Sequence, residues 1–128
     1  MGHQTPVPAL RHPLLRPEGR SDDLPGLRVT VTRLGPDGLP HGPVLAEGRV
    51  GTNGVLQHPA LMSDAISAGG YEVCFAVGDF YRDQGTMAPD PVFLDMVPYR
   101  FHIADVSQHY HLPFKFTAWG FSLFRGGA

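Results

Sequence analysis

Seven residues near the middle of the chain, Tyr71-Glu72-Val73-Cys74-Phe75-Ala76-Val77, carry their bulkiest apolar side chains at every second position. A period of two places Tyr71, Val73, Phe75 and Val77 on one face of an extended strand, read over YEVCFAVGDF (71–80). The same rhythm runs through LRVTVTRL (27–34), where Leu27, Val29 and Val31 alternate with Arg28, Thr30 and Thr32. It returns in FLDMVPYRFHIAD (93–105) with Val97, Tyr99, Phe101 and Ile103, and again from 109 to 117 with Tyr110, Leu112, Phe114 and Phe116. PVLAEGRV (43–50) is a weaker strand candidate. Helical spacing is confined to a short helix expected over ALMSDAIS (60–67) and to one turn from Asp79 through Arg82, closed by Gly85.

Turn chemistry separates these runs. The 16 glycines and 13 prolines fall between apolar stretches, as in GPDGLPHG (35–42) and Asn53-Gly54. Pro98 belongs at the start of its strand or at a sheet edge, because proline donates nothing to a ladder. Many short strands with regular turns predict an all-β sandwich of two sheets with one short helix. Residues 1–26 are Pro-rich and show little periodicity; residues 1–9 read as a flexible N-terminal tail and 10–128 as a single domain. No internal repeat is present.

Composition narrows the partners. With 17% charged residues and a net charge of −2, the chain has no basic stripe for nucleic acid, and its charge-poor surface favours self-association. Cys74 stands alone, so neither an intrachain disulfide nor a thiolate zinc cluster can form. Prolines interrupt the opening residues where a signal peptide needs an apolar run, and no segment is suited to span a membrane. A cytoplasmic location is expected.

In the segment 109–117, the alternation that turns the aromatics inward puts His109, His111, Lys115 and Thr117 on the opposite face. Imidazoles at i and i+2 on a strand project side by side, roughly 7 Å apart. Such a pair serves a metal, acid–base catalysis, or simply hydrogen bonding within a sheet. A metal needs a third ligand, and nothing singles one out from His12, His58, His102 or the carboxylates, so no metal is expected. Elsewhere the residue types have structural roles: Cys74 buried in its strand, Asp79 as a helix cap, Trp119 and Phe121 in interface packing, His3 and His41 in exposed loops.

Three stretches carry a more specific signal: AGGYEVCFAVGDFYRDQG, PDPVFLDMVPYRFHIAD and HYHLPFKFTAWGFSLFRGG. Together they make residues 68–128 resemble the transthyretin-related 5-hydroxyisourate hydrolases. That family's pattern has an A-G-x-Y-E strand, a short helix, a P-x-F-L-D-x-V-P segment, a Y-H-V-P strand and a terminal Y-R-G-S. The resemblance implies a transthyretin-like sandwich assembled as a homotetramer, with sites in channels between dimers. It further implies hydrolysis of a cyclic, urate-like substrate without metal or cofactor. Ring opening by water needs a base for the water and donors for the charge that develops on oxygen.

By the resemblance, His111 of Tyr110-His111-Leu112-Pro113 is a catalytic residue. His12 stands for the family's N-terminal histidine, although Pro13 and Leu15 replace its usual neighbours. Val55 follows Thr52-Asn53-Gly54 where the family has an arginine, and Gly127 follows Phe124-Arg125-Gly126 where it has a serine. Val55, Arg125, Gly126, Gly127 and Lys115 are thus the expected substrate-binding positions, with Lys115, His58 or Arg49 as candidate replacements for the missing charge. Three functions stay open: a hydroxyisourate hydrolase, a transthyretin-fold enzyme redeployed on a different cyclic substrate, and a non-catalytic tetramer binding a small ligand.

Overall fold

A computed structural model describes residues 13–20, 26–50, 56–84 and 90–126. The expected tail at 1–9, the Asn53-Gly54 turn and Gly85 lie outside the described residues. The described residues form seven strands: β1 (Leu15–Arg20), β2 (Arg28–Leu34), β3 (Pro40–Arg49), β4 (Gly69–Ala76), β5 (Met96–Ile103), β6 (Tyr110–Phe116) and β7 (Phe121–Leu123). Helix α1 (Val77–Gln84) follows β4 directly. Among the described residues no helix is long and apolar enough to cross a membrane.

The strands build two sheets, one ordered β3-β2-β4-β5 and the other β1-β6-β7. Their alternating apolar faces meet in a common core. Phe75 of β4 stacks on Phe114 of β6 with centroids 4.1 Å apart, and Phe80 of α1 meets Phe116 edge-on at 5.3 Å. Val29, Val31, Tyr71, Val73 and Leu112 complete that layer, each essentially without solvent contact. Burying side chains of this size stabilises the fold by roughly 1.5–3 kcal/mol apiece. The two-sheet β sandwich read from the alternation is therefore the fold observed.

Four local expectations are corrected. The segment 60–67 forms no α-helix; only a 3-10 turn, Pro59–Leu61, is present, capped by Ala60 N–H donating to His58 Nδ1 at 3.0 Å. Met62 is then drawn into a bridge with Pro13, and a single turn, Ala65 and Ile66 N–H on the Met62 carbonyl at 3.0 and 3.1 Å, leads to β4 at Gly69. The strand expected to run through Phe80 stops at Ala76, because Val77 and Phe80, three apart, bury equally well from a helix. Asp79 lies inside that helix and accepts from Arg82 at 2.7 Å instead of capping it. Beyond β6, Thr117 N–H bonds Gly120 carbonyl at 2.9 Å and the chain reverses into β7, so the aromatic end of the sequence is a hairpin.

Strand β1 is the largest omission, since its Pro-containing sequence LRPEGR shows no readable alternation. It pairs in parallel with β6, with Leu15 opposite Tyr110 and Arg16 opposite His111. Pro98 is accommodated as expected, in edge strand β5 opposite Cys74. Cys74 is only half-buried, on the outer face of β4; desolvation, with Glu72 nearby, pushes its thiol above the ordinary range.

Candidate functional site

The outer face of the β1-β6-β7 sheet carries the polar residues. Along β6, Tyr110, Leu112, Phe114 and Phe116 are buried, while His111 and Pro113 are half-buried and Lys115 is exposed. Parallel pairing aligns Arg16 with His111 and Glu18 with Pro113, so both β1 side chains share that face.

Glu18 is the one charged residue among the described residues that is buried, at 8% exposure for the whole residue. Its Oε1 lies 2.5 Å from Nε2 of His111. An ionised carboxylate can only accept, so Nε2 carries the proton and donates it, which leaves Nδ1 of His111 with a free lone pair. The imidazole side chain keeps 28% of its surface exposed, so it is not sealed into the interior. Behind it, Gly126 N–H donates to the His111 carbonyl at 2.8 Å, and a Cβ on Gly126 would stand 3.1 Å from Pro113 Cγ. Glycine at 126 thus lets the chain latch closely onto β6.

The other expected residues divide. Arg125 sits over the Tyr110 ring at 4.1 Å and donates to Gln108 Oε1 and the His109 carbonyl at 3.0 and 3.1 Å, bracing the start of β6. Lys115, opposite Ser122 of β7, extends to solvent. His109 turns its Nδ1 to within 3.1 Å of the Pro13 carbonyl. Arg49, on β3 in the other sheet, donates to the Gly26 carbonyl at 2.8 Å and lies 3.7 Å from Asp83. His12, Val55 and Gly127 lie outside the described residues. No group of three or more histidine, cysteine, aspartate or glutamate side chains among the described residues is placed to hold a metal. Glu18 and Arg16 are the members that sequence reasoning missed, because neither lies in a run with strand periodicity.

A cavity of about 400 Å³ opens along the other edge of β1. The segment 56–62 meets that edge at two points: Leu56 N–H bonds the Pro17 carbonyl at 3.0 Å, and Leu14 N–H bonds the Leu61 carbonyl at 2.9 Å. Between them the 3-10 turn bows away. Leu15, Leu56, Leu61 and Met62 line the gap, with Arg16, Gln57 and His58 as its polar members.

The profile of the HIUase/Transthyretin family matches residues 19–126, most of the chain. This protein belongs to the HIUase/Transthyretin family. Family membership agrees with the motifs of residues 68–128 and extends the relationship back to Gly19, immediately beyond Glu18. A 5-hydroxyisourate hydrolase of Ralstonia nicotianae is 46% identical over 78 residues, covering 61% of this chain and 67% of that one. A Rhizobium meliloti protein, 5-hydroxyisourate hydrolase 2, is 36% identical over 101 residues, covering 79% and 82% respectively. Among solved structures, (S)-allantoin synthase superposes with a TM-score of 0.76 at 28% identity, covering 89% of this chain but only 43% of that longer one. The 5-hydroxyisourate hydrolase of Klebsiella pneumoniae gives a TM-score of 0.67 at 21% identity over 88% of this chain and 97% of that one, a likeness of fold.

Proposed function

We propose that this chain is a 5-hydroxyisourate hydrolase-like enzyme, opening a ring of hydroxyisourate or a modified relative by adding water across a cyclic amide. The observation that carries this reading is the buried Glu18 carboxylate against Nε2 of a half-exposed His111. Nδ1 of His111 takes a proton from water as the water oxygen bonds to the amide carbon. The C–N bond then breaks, and the proton passes to the departing nitrogen. Glu18 keeps the imidazole in one tautomer and balances the imidazolium formed on the way, as a carboxylate does for histidine in hydrolytic triads. The relationship to curated hydroxyisourate hydrolases at 46% and 36% identity supports the substrate class.

In this reading the enzyme is a cytoplasmic homotetramer with its sites where subunits meet. Exposed Phe93, Trp119, Phe121 and Phe124 support assembly, since such apolar surface is unusual on a free protomer. By the resemblance His12, Val55 and Gly127 are assigned to that site together with Lys115 and Gly126, and Arg125 serves from behind by holding β6. The deciding experiment generates hydroxyisourate with urate oxidase and follows its ultraviolet decay. Acceleration over the spontaneous rate is expected; none at high enzyme concentration rejects the reading.

A second reading has a specific motive. Val55 and Gly127 stand where the resemblance expects an arginine and a serine, so the same scaffold serves a different cyclic substrate, one more apolar or alkylated. It predicts weak acceleration with hydroxyisourate and strong turnover of the alternative ring. A tetramer that only binds a ligand predicts neither.

A further inference from the structure

We propose that Arg16 is the cation that binds the substrate's carbonyl oxygens, and that the cavity beside it receives the substrate ring. The inference rests on the hydrolase reading and adds to it a residue and a place. Hydrolysis of a cyclic amide loads negative charge onto oxygen, and a positioned donor must meet it. The described cations on the strands and terminal segment around His111 are Arg16, Lys115 and Arg125. Arg125 is spent on Gln108, His109 and the Tyr110 ring. Arg16 forms no ion pair with any described residue.

Distance decides between the other two. Arg16 is the register partner of His111 on the adjacent strand, roughly 5 Å away across the ladder. Lys115 lies four residues along β6, roughly 13 Å from His111 at the rise of a strand. Arg16 also lines the 400 Å³ cavity, and Lys115 does not. It therefore stands between the imidazole and the cavity, and one molecule can touch all three. The volume falls within the range of small-molecule sites.

The lining states what fits. Leu15, Leu56, Leu61 and Met62 offer apolar surface to the faces of a flat ring, while a guanidinium offers paired N–H groups to acceptors on its edge. A planar oxidised purine, with carbonyls around an apolar ring face, has that character. Glu18 already neutralises the imidazolium, so the arginine is left to the substrate.

Three variants and two readouts test this. Urate, a stable oxopurine, serves as the binding probe by calorimetry, and hydroxyisourate decay reports turnover. Arg16→Ala should weaken urate binding tenfold or more and lower kcat/KM on the order of 100-fold or more. Arg16→Lys should recover only part of either, because an ammonium lacks the paired geometry, and low-millimolar guanidinium should partly rescue Arg16→Ala. Gln57→Trp, which plugs the cavity from an exposed position in its lining, should raise KM and weaken urate binding. Arg16→Ala with wild-type urate affinity and turnover overturns the role of Arg16; Gln57→Trp without effect overturns the cavity. If the wild type binds urate through Arg16 yet leaves hydroxyisourate untouched, the hydrolase reading falls and the binding site stands. A wild type that neither binds urate nor turns over hydroxyisourate overturns both.

Discussion

Nε2 of His111 and Oε1 of Glu18 lie 2.5 Å apart although 93 residues separate them in the chain. One sits at 28% side-chain exposure and the other at 10%, so the pair has an open flank and a closed one. Replacing either member tests different things. His111→Ala should lower turnover by roughly 100- to 10,000-fold, the usual worth of a positioned base, with the oligomer intact. Glu18→Gln still offers a carbonyl to Nε2–H but no charge to the imidazolium. Its kcat should fall while KM stays close to wild type, because Glu18 works through His111. Steady-state kinetics checks both, and an unchanged kcat for Glu18→Gln would contradict the positioning role.

The stack of Phe75 on Phe114, 4.1 Å between centroids, joins the two sheets at their centre. Phe114 is also within 5.1 Å of Phe116 and 5.7 Å of Phe121, so its removal empties a shared space. Phe114→Ala should destabilise the fold by about 3–5 kcal/mol, read from urea denaturation at fixed protein concentration.

Gly78 sets two effects against each other. Alanine is a better helix former than glycine by about 1 kcal/mol, which favours Gly78→Ala in α1. Its Cβ, however, would collide with the Asp95 carboxylate, which Arg82 holds at 3.2 Å. Overpacking of this kind costs about 1–3 kcal/mol, so the collision should win. In an Asp95→Ala background the same substitution should become neutral or stabilising, a reversal that a double-mutant cycle measures.

The hydrogen bond from Arg82 holds the Asp79 carboxyl below its ordinary range, with Arg28 adding to the effect. A carboxylate whose folded pKa is depressed contributes stability above its unfolded value and loses it as pH falls through the folded one. Asp79 is 41% exposed, so solvent screening limits the contribution to under about 1 kcal/mol. Asp79→Asn should therefore be slightly less stable than wild type at pH 6, and the gap should close on acidification toward pH 2. Denaturation midpoints across that range check the sign.

The periodic strands were legible because their burial follows the rule by which they were read. Val29 and Val31, Tyr71 to Phe75, Val97 with Ile103, and Tyr110 to Phe116 all turn inward as alternation requires. His111 was found for the same reason, as the polar complement of that pattern. Glu18 and Arg16 were not, because LRPEGR owes its strand form to the waiting edge of β6 and not to its own side chains. A proline and a glycine within six residues look like a loop until a partner supplies the ladder. The change from strand to helix at Val77 was hidden differently: Val77 and Phe80 satisfy either geometry, and only the packing of Phe80 on Phe116 decides.

Parallel pairing of β1 with β6 has a consequence for synthesis. At the usual pace of translation, the interval between the appearance of Glu18 and that of His111 is about 5 to 20 s. Throughout it the carboxylate is made and its imidazole is not, and β1 lacks its strand partner in the sheet. A nascent chain is thus chemically inert until its final strands leave the ribosome, and competence arrives in a single closing step.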